Sequence, residues 1–402
     1  MSKQKQKQRK FLETCFDHYF AKKEKRIPRC IHYEKCGGCS LQNIKYEDQL
    51  DAKLHAFRKL IAHDHADCLF DKVRIDMIPS PHEYQYRQKM SFVFANNRAG
   101  LREKGTNRFV TELSECPIAR SRSIQAFLRA KTLAREFNLQ PYSYRKQEGY
   151  LRYFVSRETR AGEVLLSLLT FSTDHSQEIE SIAKTILSEK SADSVYWQVQ
   201  PSLSDVSFGK PVMYWGKPYI YETILDLTFH ICPDTFFQAN TDIAEIAFQK
   251  IIDWGEYPDY ALDLYCGTSV IGILLSEYAG FVDGVESMPE NIELAHKNLN
   301  HNAINNVRIY KDTVERFLKF YDGTPEYIVL NPPRIGIGEE TAEKICLLNA
   351  RKLAYLSCNP LTLLDDIKIL SKRYAVHECY VFDMFPNTKH FETLVLLAAK
   401  LF

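Results

Sequence analysis

Apolar and polar positions divide the chain into two textures. Between residues 46 and 230 the pattern is irregular. Apolar positions recur at helical spacing over 46–62, 121–138 and 175–188. Short apolar or alternating runs predict strands over 73–95, 108–113, 151–157, 163–172, 194–200, 206–208 and 219–221. The tract 201–221 carries Pro, Gly and Ser and predicts an extended connection. From about residue 236 the pattern becomes regular, with apolar strands at 261–266, 281–286, 307–310, 327–331, 353–357, 376–383 and 393–399 separated by helical segments. Buried strands alternating with helices predict an α/β fold with a parallel, doubly wound sheet. Only Met384 to Phe391 separates the last two strands, so the final one is expected to enter antiparallel. A sheet of this kind binds its ligand beyond the carboxyl ends of its strands.

The 402 residues, 45% hydrophobic and 26% charged, suffice for two or three domains. No uncharged apolar run reaches the roughly 18 residues of a membrane span. The opening Lys/Gln stretch is too polar for a signal peptide. A cytoplasmic protein with no membrane partner is therefore expected. The net charge of +1 names no partner, but residues 1–29 hold ten Lys/Arg against Glu13, Asp17 and Glu24. Residues 1–27 read as a basic arm, either solvated or in loose contact with phosphates.

Eleven cysteines in a reducing compartment bear on metal binding or catalysis more than on disulfides. Cys30, Cys36 and Cys39 fall within ten residues, and Gly37-Gly38 lets the backbone fold tightly between the last two. Cys116, followed by Pro117, is the best placed fourth ligand. Zinc sites with four cysteines usually use two close pairs. A split of three and one suits a [4Fe–4S] cluster better, with zinc as the alternative.

The predicted strand ends carry the remaining chemistry. Asp263-Leu-Tyr265-Cys-Gly267 ends the first strand with a turn that brings backbone close to a ligand. Glu286 ends the second, where a carboxylate commonly accepts from ribose hydroxyls. Asp312 ends the third, near where an adenine edge would lie. Together they point to an adenosine ligand. Asn331-Pro-Pro-Arg334 ends the fourth strand and presents an amide. Cys358 ends the fifth, just before Pro360 at the start of a helix, where amide dipoles are expected to lower a thiol pKa. Glu392 opens the last strand and faces the same edge.

At these residues the chain resembles the S-adenosylmethionine-dependent RNA (uracil-5-)-methyltransferase family. The matching pieces are Phe236-Phe-Gln238-Ala-Asn240, Asp263-Leu-Tyr-Cys-Gly267, Gly284-Val-Glu286, Asn331-Pro-Pro-Arg334, Ser357-Cys-Asn-Pro360 and Phe385-Pro-Asn-Thr-Lys-His390-Phe-Glu392. Tyr86-Arg87-x-Lys89 and Glu222-x-Ile224-Leu225 extend the similarity upstream. The resemblance implies a Rossmann-like methyltransferase domain at 231–402, a central α+β RNA-binding domain at 73–230 and an iron–sulfur segment at 28–72. It makes Cys358 the nucleophile and Glu392 the base. It also places Gln238, Tyr265, Glu286, Asp312 and Asn331 around S-adenosylmethionine and the target base. Cys30, Cys36, Cys39 and Cys116 resemble the cluster ligands of ribosomal members, which implies RNA as the partner, 23S rRNA ahead of tRNA; a monomer is expected, although no residue pattern bears on it. Two positions depart from the family: Asn331 stands where Asp is usual, and Val270 replaces a polar residue. Asn-Pro-Pro also resembles the turn of amino-methyltransferases, but these carry an aromatic residue where Arg334 stands and need neither Cys358 nor Glu392. An inactive RNA-binding scaffold is the reading from a different class, opposed by the retention of both residues.

Overall fold

The computed structural model describes residues 3–95 and 97–400. Its larger sheet has eight strands in the order Ile75–Ile78, Tyr374–Phe382, Glu392–Ala399, Lys352–Ser357, Tyr327–Leu330, Tyr260–Leu264, Phe281–Glu286 and Val307–Lys311. Every pairing is parallel except the two made by Glu392–Ala399. The apolar runs of the central strands Tyr260–Leu264, Tyr327–Leu330, Lys352–Ser357 and Glu392–Ala399 are buried on both faces, as a doubly wound sheet requires. One face packs against the helices Tyr46–His63, Glu339–Leu347 and Pro360–Leu370, and the other against Thr241–Gly255 and Val270–Leu275.

A second sheet of seven strands lies between residues 89 and 216, with the helices Ser121–Glu136 and Ser176–Ser188 on one face. It is antiparallel apart from the pair Val164–Thr170 and Ser194–Val199. A hairpin, Ile220–Ile224 with Leu227–Ile231, connects it to the larger sheet.

Three sequence expectations need correction. The basic arm is not loose: Lys3–Phe20 is a helix packed on Tyr46–His63. Phe16 is buried, Phe11 stacks on His63, and Gln8 donates to Asp64 at 2.7 Å. Its charged positions masked an apolar stripe. The predicted strand 73–95 is interrupted by Pro79 and Pro81, and Ile75–Ile78 joins the C-terminal sheet beside Tyr374–Phe382 instead of the central domain. The predicted strand 206–208 is loop; the strand runs over Lys210–Gly216, inside the tract read as a connection. It is an exposed edge, so burial left no apolar alternation to read.

Candidate active site

The order of the larger sheet reverses at Tyr260–Leu264, whose neighbours Phe281–Glu286 and Tyr327–Leu330 run outward on opposite sides. The loop after this strand therefore opens the crevice where such folds bind ligands. Tyr265, Gly267 and Ser269 all adopt left-handed φ, +63°, +57° and +59°. At Gly267 nothing lies within 4 Å of where a Cβ would project, which leaves its backbone open to a ligand. Beneath the loop Asp263 is fully buried, and its oxygens make no full hydrogen bond among the described residues. Burial, with Glu286 adding, pushes this carboxyl up to about 7. Glu286 accepts from the amides of Ser287 and Met288 at 2.6 and 2.7 Å.

The antiparallel entry of the last strand brings the two candidate catalytic residues together. Ser357 is opposite Thr393, and Phe382 is opposite Glu392. The end of one strand and the start of the other thus share one edge, so Cys358 and Glu392 line the same cavity. Burial and the Glu392 charge raise the Cys358 thiol pKa, contrary to the lowered value expected from the helix start. The helix dipole is outweighed by desolvation and a like charge. Burial pushes Glu392 up to about 7. The Arg334 guanidinium opposes both shifts. Asn359 holds the Arg334 carbonyl through its amide at 2.8 Å, which ties the two loops together.

The cavity has a volume of about 1220 Å³. That exceeds the roughly 300–1000 Å³ of a single small-molecule site and leaves room for a nucleotide beside a cofactor. Gln238, Tyr265, Glu286 and Asn331 line it with Cys358 and Glu392. Asp312 does not: its carboxylate accepts from the Thr313 amide at 2.9 Å and pairs with Arg316 at 3.5 Å. Cys39 reaches the far wall of the same cavity.

The four predicted metal ligands lie in one region. The charges of Cys30, Cys36 and Cys39 all raise Cys116, whose thiol burial pushes up to about 12. Cys39 is likewise raised, to about 11, by burial and by Cys36 and Cys30. They do not form an ion site, however: among the described residues no group of three or more His, Cys, Asp or Glu is placed to hold a metal ion. The donor chemistry fits a thiolate-bound centre, and the placement of the sulfurs falls short of one.

Sequence reasoning assigned no role to Arg334 or Asp263, although both stood inside quoted motifs. Arg157 went unmarked, because an arginine among the polar residues Ser156, Glu158, Thr159 and Arg160 at the end of a strand reads as solvated. Lys89 was noted only for resemblance.

Comparison with known proteins places this geometry. A family model described as tRNA (uracil-5-)-methyltransferase matches residues 215–400. The chain is 34% identical over 385 residues to an RNA methyltransferase of Clostridium tetani, across 92% of this chain and 84% of that protein. It is 30% identical to the tRNA (uracil(54)-C(5))-methyltransferase of Pyrococcus abyssi, across 92% and 85%. The crystal structure of the Pyrococcus abyssi tRNA (uracil-54, C5)-methyltransferase in complex with S-adenosyl-L-homocysteine superimposes with a TM-score of 0.78 at 27% identity, covering 90% of this chain and 86% of that one. With the switch-point crevice arranged as described, the chain belongs to the (uracil-5-)-methyltransferase family of S-adenosylmethionine-dependent RNA-modifying enzymes.

Proposed function

We propose that the chain methylates C5 of a uridine in RNA, with Cys358 as nucleophile and Glu392 as the base that removes the C5 proton. The observation that carries this reading is the pairing of Cys358 and Glu392 at one sheet edge, under a shared cation, in a cavity large enough for nucleotide and cofactor. S-adenosylmethionine supplies the electrophilic methyl group. Its place is the Tyr265–Thr268 side, where Gly267 is open, Asp263 offers unused acceptors, and Gln238 and Glu286 flank the crevice. Asp312 is left out of that set.

The chemistry follows from the two ionisations. The thiol releases its proton to solvent, and Arg334 favours the resulting thiolate. The thiolate adds to C6, so the C5–C6 π electrons move towards O4 and make C5 nucleophilic. C5 would take the methyl group as the S–CH3 pair stays on sulfur and S-adenosylhomocysteine leaves; Glu392 then takes the C5 proton, and the electron pair of that C–H bond expels the thiolate. Asn331, at the cavity wall, is proposed to accept from uracil N3–H through its carbonyl oxygen. The base has to leave its stack to enter this cavity.

The relatives named for a substrate are tRNA (uracil(54)-C(5))-methyltransferases, so tRNA is proposed ahead of the 23S rRNA expected from the cysteines. A [4Fe–4S] cluster on Cys30, Cys36, Cys39 and Cys116 is proposed from their donor chemistry and mutual proximity alone, since the sulfurs as placed form no ion site. The test is nucleoside mass spectrometry after incubation with S-adenosylmethionine and either tRNA or 23S rRNA transcripts. 5-Methyluridine in tRNA is the expected product. Methylation confined to 23S rRNA would reverse the order of substrates, and 5-methylcytosine alone would overturn the base assignment.

A further inference from the structure

The cavity does not end at the reactive pair. Its opposite wall belongs to the central sheet and is lined by Arg87, Lys89 and Arg157. Lys89 and Arg157 stand directly opposite each other on the antiparallel strands Lys89–Ala95 and Leu151–Glu158. Like charges in that relation repel, so the arrangement is unfavourable without a counter-ion.

The protein supplies only part of one. Arg157 is 3% exposed and donates to the carbonyls of Pro233 (3.2 Å) and Thr235, while its Nε has no partner among the described residues. The Lys89 ammonium has neither a hydrogen bond nor an ion pair among the described residues, only the more distant Asp234 carboxylate and Cys232 thiol. Asp234 itself accepts from Gln198. Two cations therefore face one engaged carboxylate across a cavity wall. Repulsion by Arg157 and burial push Lys89 down to about 7, a shift that an anion alongside would reverse.

We infer that Lys89, backed by Arg157, is the seat for a backbone phosphate adjoining the nucleotide that enters the cavity. The inference rests on the proposed RNA substrate. The position suits it: Arg157 grips the chain just before Phe236-Phe237-Gln238, which line the same cavity as Cys358. A phosphate on Lys89 is thereby held in fixed relation to the base-binding wall. Such a contact positions the strand and carries no sequence information.

The probe is a fluorescein-labelled single-stranded RNA of ten nucleotides with one uridine, bound across a salt series by the full chain. Lys89→Gln should weaken binding about ten- to 100-fold at low salt. It should also reduce the slope of log K against log salt by about 0.7, one single-strand phosphate contact. Lys89→Arg should restore both. Because Lys89 is partly buried, a second arm leaves the fold untouched: neutral methylphosphonate linkages placed one at a time around the uridine. One linkage should weaken wild-type binding and cause no further loss in Lys89→Gln. An unchanged slope, or penalties that add at every linkage, overturns the proposal. So does loss of S-adenosylhomocysteine binding with RNA binding intact, which would assign the seat to the cofactor carboxylate. Failure of wild type to form 5-methyluridine would instead sink the proposed function while leaving these binding results to stand or fall alone.

Discussion

Replacing Glu392 by Gln separates the chemistry of this site from its stability. Glu392 is 4% exposed, and its pKa rises from 4.5 unfolded to about 7. Between those values the folded protein holds a proton that the unfolded chain has released, so stability falls as pH rises through that window. At 1.36 kcal/mol per pH unit, the ionised carboxylate costs about 1 kcal/mol at pH 5 and about 3 kcal/mol at pH 8. Gln fills nearly the same volume and never ionises. Glu392→Gln should therefore be more stable than wild type by about 3 kcal/mol at pH 8 and by about 1 kcal/mol at pH 5, read from urea midpoints at both pH values. The same variant should stop at the methylated adduct, because addition and methyl transfer precede proton removal. Denaturing electrophoresis should show a covalent protein–RNA band that Cys358→Ala lacks. A stability difference that does not grow with pH refutes the burial argument. Turnover at the wild-type rate refutes the role as base.

Cys358→Ala should abolish methyl transfer and leave S-adenosylhomocysteine affinity unchanged by calorimetry, since the thiol is assigned to the base and not to the cofactor. Asn331→Ala should leave a buried N3–H unpaired and lower kcat/KM by about 5- to 150-fold, or about 1–3 kcal/mol. Asn331→Asp, a stronger acceptor, should keep uracil specificity in a competition between uridine and cytidine substrates. Anaerobically purified protein should be brown and contain iron, and Cys36→Ser should lose both; stoichiometric zinc without iron would reject the cluster.

The C-terminal sheet was legible because burial on both faces writes its strands as uninterrupted apolar runs, and the edge residues follow once the strand ends are known. Cys358 and Glu392 were legible for that reason. Their ionisation was not, because desolvation and a neighbouring charge depend on contacts between residues 34 positions apart. Asp312 ends a strand as expected, and contacts the sequence does not display, to the adjoining helix start and to Arg316, engage its carboxylate. The N-terminal helix was missed because lysines on its exposed face dominate composition, whereas Phe11, Phe16 and Gln8 make the packing. Lys89 and Arg157 were invisible as a pair, since only strand register sets them opposite each other.

The loop that precedes Glu392 is tied to the segment that follows the cysteines. Asn387 sits at φ +65° and is fully buried. Its carbonyl accepts from the amides of Ser40 and Leu41, directly after Cys39, each at 2.9 Å. Its own amide donates to the Gln49 side chain at 2.9 Å, and its side-chain nitrogen donates to the Glu83 carbonyl at 3.0 Å. Tyr86 donates to the Pro386 carbonyl at 2.9 Å, and the fully buried Lys53 pairs with Asp383 and donates to the Phe385 carbonyl. Breaking one partner of such a buried pair typically costs about 3–5 kcal/mol, so these contacts fix the loop rather than brush against it. Glu392, the proposed base, therefore follows a loop anchored by residues 40–86, and Gly37, Gly38 and Cys39 continue from the same anchor into the cavity wall. Cys39 thus directly precedes the two amides that hold the Asn387 carbonyl, five residues before Glu392.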